Sequence, residues 1–172
     1  MKPKEKDLPE FYRNYVRILP DQPIVYLLDS TINQFLETIG QFDEDRGDYA
    51  YASGKWTVKE VLQHLIDSER IFTYRALRFS RGDQTDLPGF DQAKYIDTLN
   101  CSKRSLPELV DELRHVRVST RDFYLSLTNN QLRETGTANG FPFTVNAIAY
   151  ITAGHMAHHT AVLTEKYLES PS

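Results

Sequence analysis

The chain has 172 residues, 40% hydrophobic and 26% charged, which suits one domain with a core of its own and excludes wholesale disorder. A formal net charge of −4 argues against a protein that lives on nucleic acid, although local basic patches are compatible with it. The single cysteine, Cys101, forms no internal disulfide, the start Met1-Lys2-Pro3-Lys4 leads into no apolar leader, and no run reaches membrane-span length, so a cytoplasmic protein is expected.

Residues 1–20 are polar and read as an N-terminal arm, the first ten of them a loose lead-in, before a bundle domain over 21–172. Asp21 can cap a first helix with Pro23 in its first turn, and Ile24, Leu27, Leu28, Ile32, Phe35 and Ile39 recur at three- and four-residue steps until Gly40 to Phe42. A charged loop over 43–48 and a connection to Gly54 follow. Thr57-Val58-Lys59-Glu60 has the spacing of a capping box, the hydroxyl taking one orphan amide and the carboxylate reaching back to another. It opens a second helix whose apolar stripe, Val58, Val61, Leu62, Leu65, Phe72, Ala76 and Phe79, stops near Gly82.

Residues 83–95 hold the turn Pro88-Gly89-Phe90 in a longer loop, and loops of this length are often functional. Ser105-Leu106-Pro107-Glu108 is a second capping box, opening a third helix through Leu109, Leu113, Val116, Phe123, Leu125 and Leu127, with Asn129-Asn130 as its stop. Gly136, Asn139, Gly140 and Pro142 mark a loop, and Thr144 caps a fourth helix running to about Leu168. No strand-like alternation, internal repeat or low-complexity tract competes. The expected fold is all-α: a four-helix bundle of the up-down-up-down type, with the longer loop between helices two and three.

Three of the five histidines fall in Gly154-His155-Met156-Ala157-His158-His159. Residues four apart share a helix face, so His155 and His159 stack, and both fall on the apolar stripe with Val145, Ile148, Ala149, Thr152, Val162, Leu163 and Lys166. Imidazoles that face a core need partners, and a metal ion is one. A stable site of three protein ligands needs a donor from another helix, for which His64, at the edge of the second helix's stripe, is the candidate. Three histidines would leave coordination positions open, as catalytic sites do, and neutral imidazoles suit zinc, nickel, copper or iron(II). The competing reading is a set of hydrogen-bonded core histidines. His115 and His158 read as surface or supporting positions. Met156 stands where His-Glu-x-x-His metalloproteases carry their general base, paired Glu-x-x-His motifs are absent, and no base is spaced to activate Cys101.

The blocks Gly54 to Arg70, Tyr74 to Arg78, Pro88-Gly89-Phe90-Asp91 and Ala153 to His159 resemble the DinB-like family of four-helix metal proteins from about residue 20 onward. That resemblance implies a bundle binding a divalent metal, zinc or nickel foremost, through His64, His155 and His159. It also implies a chemistry: characterised relatives include bacillithiol- or mycothiol-dependent transferases and isomerases, so the expected function is a metal-dependent, thiol-linked transferase or related enzyme with a low-molecular-weight thiol as partner. Relatives are often homodimers. The alternative is a metal-bearing binding or stress-response protein without turnover, and a third reading, nucleic-acid binding, rests only on Arg70, Arg75, Arg78 and Arg81 and the family name. Those arginines complement the helix dipole. Arg75 or Arg78 is also a candidate to hold an anionic substrate, Arg75 the better placed at about 16 Å along the helix from His64. Asp67 and Asp91 are candidates to orient ligands, and Trp56 to anchor the second helix or line a pocket.

Overall fold

A computed structural model describes residues 2–168 of the chain; Met1 and the last four residues of the expected domain lie outside them. The α-helices are α1 (Glu10–Arg17), α2 (Ile24–Ile39), α3 (Val58–Ser80), α4 (Gln92–Asp97), α5 (Leu106–Leu125), α6 (Asn129–Arg133) and α7 (Val145–Val162), the last continuing as a π-helical segment to Leu168. Both expected capping boxes form: Thr57 with Glu60 opens α3, and Ser105 with Glu108 opens α5. Asp21 does not cap α2, whose cap position is Pro23 with no side-chain hydrogen bond, and instead accepts from the Lys2 amide.

The four long helices, α2, α3, α5 and α7, form the expected bundle, but their directions are not the expected ones. Tyr150 of α7 reaches the Gln22 carbonyl before α2, and Arg46 after α2 reaches the Tyr167 carbonyl, so α2 and α7 run the same way. Contacts of Gln63 with Arg104, Glu69 with Arg117 and Thr73 with Thr120 make α3 and α5 parallel too. His64 against His155 and Trp56 against Tyr167 set α3 antiparallel to α7, and Asp29 against Arg121 with Glu44 against Leu106 set α2 antiparallel to α5. The order is therefore up-down-down-up, with α2 and α3 on one diagonal and α5 and α7 on the other. The reason lies in residues 81–105: two parallel helices need a connection that spans the bundle's length, roughly 34 Å for the 23 residues of α3. That long loop marks a crossover.

Two other expectations fail. Residues 135–144 form an antiparallel hairpin, β1 (Thr135–Ala138) and β2 (Phe141–Thr144), turned by Asn139 and Gly140, both at positive φ. Asn-Gly suits that turn because both central residues need φ > 0. The first ten residues are not a loose lead-in either: among the described ones Glu5–Asp7 form a 3-10 turn and Leu8 is buried, and the rest of the arm buries Tyr12, Val16 and Leu19, with α1 lying against α7. The approach is close enough that a Cβ at Gly154 would sit 2.0 Å from the Tyr15 carbonyl oxygen.

The apolar interior is in two clusters. One gathers α1, the hairpin, the end of α3 and the start of α7 around Phe72, Phe79, Tyr150 and Ile151. The other gathers the end of α2, the starts of α3 and α5 and the end of α7 around Phe35, Leu62, Leu109 and Leu163. Between them runs a layer of buried polar side chains: Thr31, Ser68, Glu69, Arg117, Thr120, His64 and His155.

Candidate metal centre

His64 lies on the second turn of α3, and His155 and His159 lie one turn apart on α7, so the antiparallel packing of these helices brings the three rings together. The His64 and His155 Nε2 atoms are 2.9 Å apart, and those of His155 and His159 are 3.1 Å apart. A neutral imidazole has one donor and one acceptor nitrogen. Hydrogen bonds among themselves therefore cannot satisfy three Nε2 atoms at one point: a proton on His155 Nε2 can serve only one neighbour. A cation serves all three. Two imidazole ligands at a metal–nitrogen distance of about 2.0–2.1 Å stand roughly 2.9–3.4 Å apart for angles between octahedral and tetrahedral, which the observed separations match. Among the described residues no carboxylate or thiol belongs to the group.

The surroundings favour neutral rings. His64 and His155 are buried and His159 nearly so, and burial pushes His64 down to about 4 and His159 down to about 3, while the neighbouring histidines add to the burial that holds His155 well below the ordinary imidazole value. The deprotonated, ligand-competent form is thus the resting form near neutral pH. The Ser68 hydroxyl lies 3.4 Å from His64 Nδ1, whereas His159 Nδ1 is buried without a hydrogen-bond partner among the described residues. Aromatic rings close the rest of the shell: Trp56 stands 4.8 Å from the His64 ring, Tyr15 5.3 Å and Phe72 5.8 Å from the His155 ring.

The cluster has two openings. A cavity of about 430 Å³ has His155, Ser68, Phe72, Arg75, Tyr12 and Tyr15 among its walls. A second, of about 260 Å³, reaches His159 between Tyr51, Trp56 and Tyr167.

The other candidates separate cleanly. Arg75 is buried and lines the larger cavity, whereas Arg78 lies outside it, bound to Asp83 and Tyr74. His158 is half-buried beside Tyr15, and His115 is exposed on α5. Asp67 accepts from Gln63, and Asp91 lines the cavity while capping α4 through the Lys94 amide. Cys101 is buried away from the histidines' cavities. Sequence reasoning missed Tyr12 and Tyr15, although Leu8, Tyr12, Val16 and Leu19 carry a three- and four-residue spacing that marks an amphipathic turn. It also missed the Glu69–Arg117 pair, for which the sequence offers no local signal because the partners are on different helices.

The same architecture recurs in solved structures. YfiT from Bacillus subtilis, described as a probable metal-dependent hydrolase with an unusual four-helix bundle topology, superposes with a TM-score of 0.73 at 20% identity, covering 96% of this chain and 90% of that one. A mycothiol-dependent maleylpyruvate isomerase superposes with a TM-score of 0.68 at 13% identity over 82% of this chain, which spans only 60% of the isomerase's length. At these identities the likeness speaks for the fold. No curated protein matches the sequence. Residues 27–163 match the DinB superfamily, and the chain belongs to that superfamily.

Proposed function

We propose that His64, His155 and His159 hold one divalent metal ion, zinc or nickel, and that the protein is a metal-dependent enzyme of the thiol-linked transferase or isomerase kind, acting on a small molecule in the cavity beside His155. The observation that carries this reading is the convergence of three buried, neutral Nε2 atoms at the wall of a cavity large enough for such a molecule. A divalent ion held there supplies Lewis acidity and lowers the pKa of a bound thiol or water. The protein's own residues do the rest. The imidazoles stay unprotonated because they are buried, and the packing of α3 on α7 fixes their separation. Trp56, Tyr15 and Phe72 limit water around the cluster and so raise the weight of every charge in it. The two openings give room for two reactants, one past His155 and one past His159.

The test is elemental analysis of protein purified without added metal, beside His64→Ala, His155→Ala and His159→Ala. About one metal ion per wild-type chain and loss in each variant is expected; full occupancy in all three variants removes the proposal. A second reading, a metal-bearing binding protein without turnover, is favoured by one feature: Met156 stands where a base would be, and its sulfur faces the Arg117 guanidinium at 3.2 Å. Metal-dependent consumption of a low-molecular-weight thiol in a substrate screen decides between the two.

A further inference from the structure

Three cationic side chains are buried among the described residues: Lys59, Arg75 and Arg117. Two have carboxylate partners, Lys59 with Glu44 and Asp48, and Arg117 with Glu69. Arg75, only 5% exposed, has none among the described residues. Its Nη2 donates to the Pro88 carbonyl at 2.8 Å, its guanidinium lies 5.7 Å over the Phe90 ring, and the Tyr12 hydroxyl is beside it. These are neutral partners. A guanidinium has five N–H donors, so beside one carbonyl and one hydroxyl it keeps spare donors and an uncompensated charge at the wall of the cavity it lines. A buried charge without a counterion is costly, and this one is held in place: the loop carrying Pro88 is pinned to the hairpin by the Leu87 amide on Thr137 and the Asn139 amide on Leu87.

We infer that the cavity takes a small molecule bearing a carboxylate, gripped by Arg75 at the end away from the histidines. Ser68, Phe72 and Arg75 succeed one another at four and three residues along α3, forming one cavity wall that begins beside His64 and His155 and ends at the guanidinium. A ligand lying along it has an aromatic flank, Phe72 and Tyr12, between its two ends. Its length is bounded by the roughly 16 Å rise from His64 to Arg75, less the reach of the side chains at both ends. A carboxylate fits better than a phosphate: Arg75 is the only Lys or Arg among the described residues lining the cavity, and Asp91 at the same cavity opposes a second negative charge. The reacting end of the ligand rests on the proposed metal; the gripped end does not.

The experiment therefore uses the full chain with metal removed by chelation, titrated with benzoate and with its neutral isostere benzamide, followed by calorimetry or NMR. Benzoate binds roughly tenfold or more tighter than benzamide, the difference expected of a charge-assisted, bidentate contact. Arg75→Gln abolishes that preference, Arg75→Lys keeps part of it, and Arg81→Gln, exposed at the end of α3, leaves it whole. Circular dichroism melts establish that the variants are folded, and the wild-type comparison stands without them. Equal affinity for benzoate and benzamide overturns the inference, as does a preference that survives in folded Arg75→Gln or that appears only with metal present. Tighter binding of inorganic phosphate than of benzoate overturns the choice of carboxylate.

Discussion

Replacing Glu69 by alanine isolates the energetics of the polar layer that crosses the bundle. Arg117 Nε and Nη2 each donate to a Glu69 oxygen at 2.8 Å, Nη1 donates to the Leu28 carbonyl at 2.6 Å and the Thr31 hydroxyl at 3.1 Å, and both charged side chains are 3% exposed. Glu69→Ala leaves a desolvated guanidinium with neutral partners only, a loss of about 3–5 kcal/mol against a total stability of roughly 5–15 kcal/mol. For a urea slope of about 2 kcal/mol/M the midpoint falls by roughly 1.5–2.5 M. Glu69→Leu combined with Arg117→Met removes both charges together and recovers most of that loss, since an apolar pair of similar volume replaces a buried ion pair at little cost. Urea unfolding followed by far-UV circular dichroism reads Glu69→Ala and the four corners of the cycle: wild type, Glu69→Leu, Arg117→Met and the double variant. A Glu69→Ala shift under about 1 kcal/mol, or a double variant as unstable as the sum of its singles, refutes the reasoning.

Other outcomes follow from the same contacts. Because burial depresses the folded-state pKa of His64 to about 4 and of His159 to about 3, the unfolded chain takes up protons first. Metal-free protein is thus fully stable above the unfolded value of about 6.5 and loses roughly 1.4 kcal/mol per pH unit from His64 alone as the pH drops from there toward 4. Denaturation of chelator-treated protein between pH 7 and 4 measures it, and a flat profile contradicts the burial argument. Gly154→Ala places a methyl 2.0 Å from the Tyr15 carbonyl oxygen and 2.5 Å from its carbon, backbone atoms that cannot rotate away, so α1 must lift from α7 at a cost of about 1–3 kcal/mol. Loss of less than half a kcal/mol, as read by the melting midpoint, would count against that contact. Zinc or nickel at about a hundred times its Kd should stabilise the wild type by roughly 2.7 kcal/mol and leave His155→Ala unmoved in a thermal melt.

The parts of this molecule that were legible in the sequence are those written in short-range spacing. Thr57 to Glu60 and Ser105 to Glu108 announce helix starts because both halves of a capping box sit within one turn. His155 and His159 announce a shared face because four residues make about one turn. Helix direction has no such signature, and the parallel pairing of α3 and α5 could be inferred only from the length of their connection. The hairpin escaped notice because Gly136 and Pro142 break its alternation; at Gly136 a Cβ would meet the Phe79 ring at 2.0 Å, so tertiary packing dictates the residue there. Arg117 falls among the apolar positions of α5, and its burial depends on an acid 48 residues earlier.

The up-down-down-up order has a consequence for the site that an up-down-up-down bundle would not share. With α2 and α3 on a diagonal, α3 packs between α5 and α7, so one helix can present a polar face to each, the two groups standing about 7.5 Å apart along its axis. Toward α7 it offers His64; toward α5 it offers Glu69. Met156 touches the Arg117 guanidinium and immediately follows His155, which ties the ion pair to the histidine cluster through one residue of α7. A two-charge layer of this kind contributes little net stability compared with apolar packing, but it resists sliding, because a shift of α3 along α5 breaks bidentate contacts at 2.8 Å and a shift of α7 past α5 breaks the 3.2 Å contact of Met156 with Arg117. The ion pair therefore acts as a register pin for the Nε2 separations. The cycle that measures its energy can be made to test this: the Glu69→Leu, Arg117→Met double variant should regain stability yet bind metal more weakly than wild type, and equal metal affinity in the two proteins would separate the pin from the site.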